Sequence, residues 1–261
     1  MTYPKKVIAL GSRLRNCPSV ITLGIRPNFS DYSEKEARQI KEASKIYYPG
    51  TFYAEIFDSM GKNIFPSYHT YKFVQDKIKQ TALFNLIGVP HPKTRVYYGK
   101  LQKKRIMDLF HFPFIAKIPR GSAMGRGVFL INNKEELMHY CDKTGVAYIQ
   151  EFLQIERDIR VVIIGKHIAH AYWRINAQGE FRSNIAKGGE ISLSPVPKGA
   201  LDLALSVARK CGWDDVGIDI IAYKDKYYVL EANMKYGKEG FRRAEIDYIS
   251  LMEQKIKSGE I

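Results

Sequence analysis

Between Gly217 and Gly237 the chain reads GIDIIAYKDKYYVLEANMKYG, a strand-like run of apolar residues into which Asp219, Glu231 and Asn233 are set. Alternation broken at Lys224-Asp225-Lys226 predicts two strands and a tight turn. With those three residues as the loop, Tyr223 faces Tyr227, Asp219 faces Glu231, and Asn233 lies on the same side of its strand as Glu231. Carboxylates about 5 Å apart across a hairpin repel, so the arrangement is favourable when a cation sits between them. Oxygen donors with no Cys or His nearby suit Mg²⁺, which takes few protein carboxylates and completes its shell with water and phosphate. The competing expectation is a half-exposed hairpin with an acidic face, whose odd loop contains a bulge that shifts the pairing.

Other segments offer anion chemistry. In RSNIAKGG, residues 182–189, Arg182 and Asn184 could reach phosphate oxygens or the metal from a loop, or belong to a solvated turn. GSAMGRGV, residues 121–128, has three glycines in seven positions, which lets backbone N–H groups approach an anion closely. It lacks the GK[ST] of a Walker A loop, and a hairpin turn has the same composition. Lys117 lies inside FIAKI, where it is either buried against an anion or snorkels to the surface. Asp158, Arg160 and Arg174 flank a hydrophobic sheet and pose the same choice, with exposed salt bridges as the alternative.

The elements that must position these residues are mixed. KKVIALGS predicts a strand, and Ser33 with Glu36 a capping box opening a helix through about Lys45. A helix ends near Gly61, and another, in YKFVQDKIKQTALFNLIG, stops at Gly88 and Pro90. Strands follow in RVYYG, FPFIAKIPR, GVFLINN and AYIQEFL, with a helix capped by Asn133. DIRVVIIGKHIAHAYWRI predicts two strands turning at Gly165-Lys166, and LDLALSVARKCG a helix closed by Gly212. The expected class is α/β or α+β with several lobes.

The 261 residues suffice for two or three lobes, and 45% hydrophobic with 26% charged residues is ordinary for a globular chain. The longest apolar run near the start, Val7 to Leu10, is too short for a signal-peptide core, so a cytoplasmic protein with no membrane partner is expected. Cys17, Cys141 and Cys211 form neither a CxxC nor a Cys/His cluster, which points to reduced thiols and no zinc. A net charge of +14 favours an anionic partner. No helix-turn-helix, zinc finger or RNP-like signature accompanies it, which argues against a nucleic-acid partner.

The stretches QEFLQIERDIRVVIIGKHIAHAYWRINAQGEFRSNIAKGGE and GIDIIAYKDKYYVLEANMKYGKEGF together resemble RimK-type ATP-grasp ligases, relatives of glutathione synthetase and D-alanine–D-alanine ligase. The similarity runs from about residue 72 to 242. It implies an ATP-grasp fold in which two α+β lobes hold ATP: a small lobe at 72–149 and a large lobe at 150–261, after a shortened α/β unit at 1–71. It implies that Lys77 and Lys117 hold nucleotide phosphates, and that Gln150, Glu151 and Phe152 contact adenine. Asp158 would meet the nucleoside, and Arg182, Ser183 and Asn184 would lie near the phosphates. Asp219, Glu231 and Asn233 correspond to the ligands of Mg²⁺, for which Mn²⁺ is a substitute. Arg160 and Arg174 correspond to positions that neutralise the transferred phosphate or the substrate carboxylate, and Gly121, Ser122, Gly125 and Gly127 to a lid.

The implied reaction joins a small carboxylic acid or acidic peptide, glutamate-like given the charge, to an amine through an acyl phosphate, with release of ADP and phosphate. Such chemistry needs alignment and charge neutralisation rather than a protein nucleophile. The alternatives are an ATP-grasp kinase and a non-catalytic nucleotide-binding protein. Two departures bear on substrate choice: the short segment before Lys72, and Met234-Lys235-Tyr236-Gly237 where the family commonly has a small residue and Pro-Gly.

Overall fold

A computed structural model describes residues 7–73, 76–120, 127–178, 180 and 188–261. The first sheet is parallel, in the order β2-β1-β3-β4, from β1 (Val7–Ala9), β2 (Val20–Thr22), β3 (Lys45–Tyr47) and β4 (Asn63–Phe65). Of these strands only β1 is foreseen from the sequence, marked by the apolar run Val7 to Leu10. Helix α1 (Glu34–Glu42) has the expected capping box at Ser33 and Glu36, but it ends before Lys45, where β3 begins. Helix α2 (Gly50–Ser59) sets Tyr53 and Phe57 into a core with Ile8, Leu10 and Ile46.

The single helix expected before Gly88 is two, α3 (Tyr68–Phe73) and α4 (Lys77–Ile87). Asp76 separates them: its backbone is extended and its carboxylate accepts the Lys79 N–H at 3.0 Å, making it the N-cap of α4. Lys77 therefore sits at the start of a new helix. Gly88, left-handed at φ 67°, closes α4 as expected.

The second sheet is antiparallel, in the order β5-β8-β6-β7, from β5 (Thr94–Tyr98), β6 (Phe114–Lys117), β7 (Val128–Ile131) and β8 (Val146–Glu151). Helix α5 (Gly99–Lys103) follows β5, and α6 (Lys134–Lys143) starts at the expected Asn133 cap. The third sheet has the order β11-β10-β9-β12-β13. Its strands are β9 (Arg157–Ile164), β10 (His167–Ile175), β11 (Glu190–Ser192), β12 (Asp215–Tyr223) and β13 (Lys226–Asn233). Helices α7 (Lys198–Cys211), α8 (Glu239–Arg243) and α9 (Tyr248–Lys257) complete the chain. None of the helices among the described residues is long and apolar enough to cross a membrane.

The central strand β9 is buried on both faces. Ile159, Val161 and Ile163 pack with Ala204 and Val207 of α7. Val162 and Ile164 pack the other way, with Ala9, Tyr47 and Phe65 of the first sheet and Met252 of α9. The period of two therefore puts Asp158 and Arg160 on the second face, and in β12 it separates Asp219 from the α7-facing Ile218 and Ile220.

The β12–β13 turn differs from expectation. Tyr223 pairs with Lys226, so the turn is the two residues Lys224 and Asp225, at φ 46° and 60°. Left-handed backbone at both central positions is the hairpin geometry that matches strand twist. A bulge between the Ile220–Val229 and Asp219–Glu231 pairs adds one residue on β13, and this restores the expected partnership of the two carboxylates.

Where the first and third sheets meet, Asp215 is fully buried and accepts the Tyr48 hydroxyl at 2.9 Å and the Tyr236 hydroxyl, with Arg13 at 3.8 Å. Burial pushes this acid up from 3.8 to about 6, against the pull of Arg13 and both hydroxyls. The folded chain thus keeps a proton that the unfolded chain has released. Its stabilisation is full below pH 4 and is lost as pH rises through about 6, an effect of about 3 kcal/mol. Urea unfolding across that window should show the wild type losing stability relative to Asp215→Asn; a constant difference would contradict this.

Candidate active site

One half of the second face of the third sheet is a lattice of charges. Asp219 pairs in register with both Glu231 and Arg160, and Arg174 with Asp158. Arg160 grips Asp219 through Nε and Nη2, the latter at 3.0 Å. Arg174 holds Asp158 through Nε and Nη2, both at 2.7 Å, and reaches Asp219 at 3.1 Å. Asp158, Arg160 and Asp219 are each under 8% exposed, so the exposed-salt-bridge alternative does not hold. Burial pushes the Asp158 acid up, opposed by Arg174. Burial also works against the Arg174 charge, but Asp158 and Asp219 outweigh it and keep the guanidinium charged.

Glu231 and Asn233 continue the face, with Asn233 Nδ2 donating to Glu231 Oε1 at 2.7 Å. Two lysines approach from elements before the third sheet. Lys77, at the start of α4, lies 3.3 Å from Glu231, and Lys117, at the end of β6, is 7% exposed. Lys117 does not snorkel. Burial brings its ammonium down to about 8, Lys77 adds to the push, and Glu231 and Asp219 oppose it. Burial raises the Glu231 acid, but the two lysines outweigh that and hold it near 2.

Two supports were not legible in the sequence. Gln80, one turn after Lys77, donates Nε2 to the Ala232 carbonyl and accepts the Ala232 N–H at Oε1, each at 2.9 Å. It fastens the strand between Glu231 and Asn233. Tyr140 donates its hydroxyl to the Lys117 carbonyl at 2.7 Å and accepts the Tyr148 N–H at 2.9 Å, fixing the end of β6. The spacing of Gln80 from Lys77 on one helix face was the available signal.

Gln150 is buried and turned toward Thr94, to which its Nε2 donates at 3.0 Å. The Glu151 carboxylate accepts the Lys93 N–H, and Phe152 is half-buried beyond it. Gly127 is left-handed at φ 79°. Gly121, Ser122, Gly125, Arg182, Ser183 and Asn184 lie outside the described residues.

Gly217 separates Arg160 from Tyr236: a Cβ there would lie 2.9 Å from Arg160 Cδ and 2.8 Å from Tyr236 Cβ. Gly217→Ala is expected to displace Arg160 from Asp219 and to cost about 1–3 kcal/mol of stability. Chemical denaturation of the variant checks this; wild-type stability would contradict it.

Among the described residues no group of three His, Cys, Asp or Glu side chains gathers to hold a metal. The donor set here is smaller: Asp219, Glu231 and the oxygen of Asn233, whose amide nitrogen is already committed to Glu231. Hard oxygen donors in that number fit Mg²⁺ that also binds phosphate, and the four neighbouring cations suit the phosphates themselves.

A buried lysine at the end of one sheet and a second at the start of a helix, both facing an acidic hairpin of another sheet, are the arrangement of an ATP-grasp fold. Residues 74–256 match the RimK-like ATP-grasp domain, and the chain belongs to that family. It is 31% identical over 209 residues to a "Probable alpha-L-glutamate ligase" of Parasynechococcus marenigrum (strain WH8102), covering 77% of this chain and 45% of that one. It is 25% identical over 207 residues to the "Ribosomal protein bS6--L-glutamate ligase" of Escherichia fergusonii, covering 77% of this chain and 69% of that one. The chain thus spans less than half the length of the first relative. A structure of the ATP-grasp ligase PsnB with a phosphomimetic variant of its minimal precursor, Mg and ADP superposes with a TM-score of 0.71 at 16% identity, covering 99% of this chain and 100% of that one. The α+β, ATP-grasp class expected from the sequence is the one observed.

Proposed function

We propose that this ligase activates a carboxylate of a glutamate-type acid or acidic peptide with the γ-phosphate of ATP and transfers the acyl group to an amine. The observation that carries the reading is the single sheet face on which Asp219, Glu231 and Asn233 stand beside Arg160 and Arg174, with Lys77 and Lys117 converging on Glu231. Relatives described as glutamate ligases, and the excess of 41 Lys and Arg over 27 Asp and Glu, support an acidic substrate.

Lys77 and Lys117 hold the nucleotide phosphates, and the backbone of Gln150 to Phe152 meets adenine. Asp158 meets the nucleoside, and both its oxygens also hold Arg174 in place. Asp219, Glu231 and Asn233 would hold Mg²⁺ or Mn²⁺, which supplies charge neutralisation at the transferring phosphate. Arg160 and Arg174 orient the acceptor carboxylate, whose oxygen attacks γ-phosphorus as the bond to the ADP oxygen breaks. The amine then attacks the acyl carbon, expels phosphate and loses a proton.

Incubation of the protein with Mg·ATP and pools of acids and amines, each omitted in turn, tests the reading. ADP release is expected to require both pools, with a product equal in mass to acid plus amine minus water. A product heavier by one phosphate and formed without amine would mean a kinase instead.

A further inference from the structure

Beyond the phosphate site, a second group of cations lies where the first and third sheets meet. Strand β1 sits between β2 and β3, so the parallel sheet changes winding direction at β1 and β3, and ligands of such sheets occupy the crevice at that carboxyl end. Arg13 follows β1 there, and Tyr48 follows β3 with a left-handed backbone at φ 47°, which is costly for a tyrosine.

The Arg13 guanidinium lies 4.3 Å from the Tyr236 ring centroid and 5.2 Å from that of Tyr248, and its Nε donates to the Tyr248 hydroxyl at 2.7 Å. Its Nη2 is buried and has no hydrogen-bond partner among the described residues. Lys238 places its ammonium 4.4 Å from the same Tyr248 ring, and burial together with Arg13 lowers its proton affinity. Asp215 is the carboxylate of this group, but it is already committed to two tyrosine hydroxyls and stands 3.8 Å from Arg13. Two cations on one ring, one with an unanswered buried N–H, gain from an incoming anion.

The group adjoins the proposed chemistry. Tyr236, which Arg13 stacks on, packs across Gly217 from the aliphatic stem of Arg160. We propose that Arg13 and Lys238 form a seat for a second carboxylate of the acid substrate, so that the enzyme selects a dicarboxylic acid or an acidic peptide end over a monocarboxylic acid. This rests on the ligase reading for its link to turnover, but the seat can be measured without turnover.

The test is calorimetric titration of the full chain, with Mg²⁺ and a non-hydrolysable ATP analogue, using glutarate, pentanoate and a short peptide ending in glutamate. Glutarate or the peptide is expected to bind at least about tenfold more tightly than pentanoate, the better of the two identifying the source of the dicarboxylate. That preference should vanish in both Lys238→Gln and Arg13→Gln. Lys238 is exposed, so its variant should keep the wild-type melting temperature. Equal binding of glutarate, peptide and pentanoate, or no binding of any, would overturn the seat. A purely structural role would lower the melting temperature of Arg13→Gln and leave Lys238→Gln with wild-type selectivity, which would overturn it as well. Intact selectivity without ADP release from any acid and amine would sink the ligase reading and leave the seat standing.

Discussion

Glu231→Gln is expected to lower Mg²⁺-dependent ADP release by a factor on the order of 10²–10³, the size of effect seen when one preorganised electrostatic partner of a transition state is removed. The substitution keeps the shape of the side chain and removes its charge. That charge is held ionised by Lys77 at 3.3 Å and by Lys117, and it faces Asp219 across the hairpin. Without it only Asp219 remains to offset the mutual repulsion of the two lysines, and the donor set loses one of its two carboxylates. The fold should persist, because Gln80 still fastens the backbone of Ala232 and the apolar side of β13 is untouched. Steady-state assays over a range of Mg²⁺, with circular dichroism as the check on folding, read the outcome. Wild-type turnover in a folded variant would refute the assignment of the hairpin.

Lys117→Met separates binding from folding more sharply. The lysine is buried and its ammonium is destabilised by desolvation and by Lys77, so an apolar side chain of similar length relieves a cost. Thermal stability in the absence of nucleotide is expected to hold or rise. Affinity for ATP should fall by roughly 10²-fold, as for loss of a charge-assisted contact to phosphate in a dry site. A variant that loses stability and keeps its nucleotide affinity would show that Lys117 serves the fold instead.

How much of this was legible in the sequence depends on the range of the interaction. The pairing of Asp219 with Glu231 follows from alternation within one hairpin. It survives an incorrect turn because the extra β13 residue that a two-residue turn omits reappears as a bulge. Burial of Lys117 was one of two open readings, since FIAKI alone does not say what covers it; Tyr140, Tyr148 and Lys77, distant in sequence, decide it. The partners of Gln80 and of Arg13 could not be read, because Gln80 to Ala232 and Arg13 to Tyr236 and Tyr248 each join segments more than 150 residues apart; the sequence offered only the spacing of Gln80 from Lys77. Strands β2, β3 and β4 were missed for a different reason: at three residues each they are too short to show a period of two, and β1, of the same length, was marked only by the apolar run Val7 to Leu10. The segment Met234-Lys235-Tyr236-Gly237, which departs from the family pattern, gains a physical account: Tyr236 closes the buried group around Asp215 and braces Arg160.

The central claim is that the charged face of the third sheet transfers phosphate to a carboxylate before the amine attacks. Turnover with an acid substrate carrying ¹⁸O in its carboxylate tests it directly. If the claim is right, each phosphate released carries one ¹⁸O from the acid, and its appearance depends on both acid and amine. Phosphate free of the label, with product still formed, would contradict an acyl phosphate and the roles assigned here to Arg160, Arg174 and the Asp219–Glu231 pair.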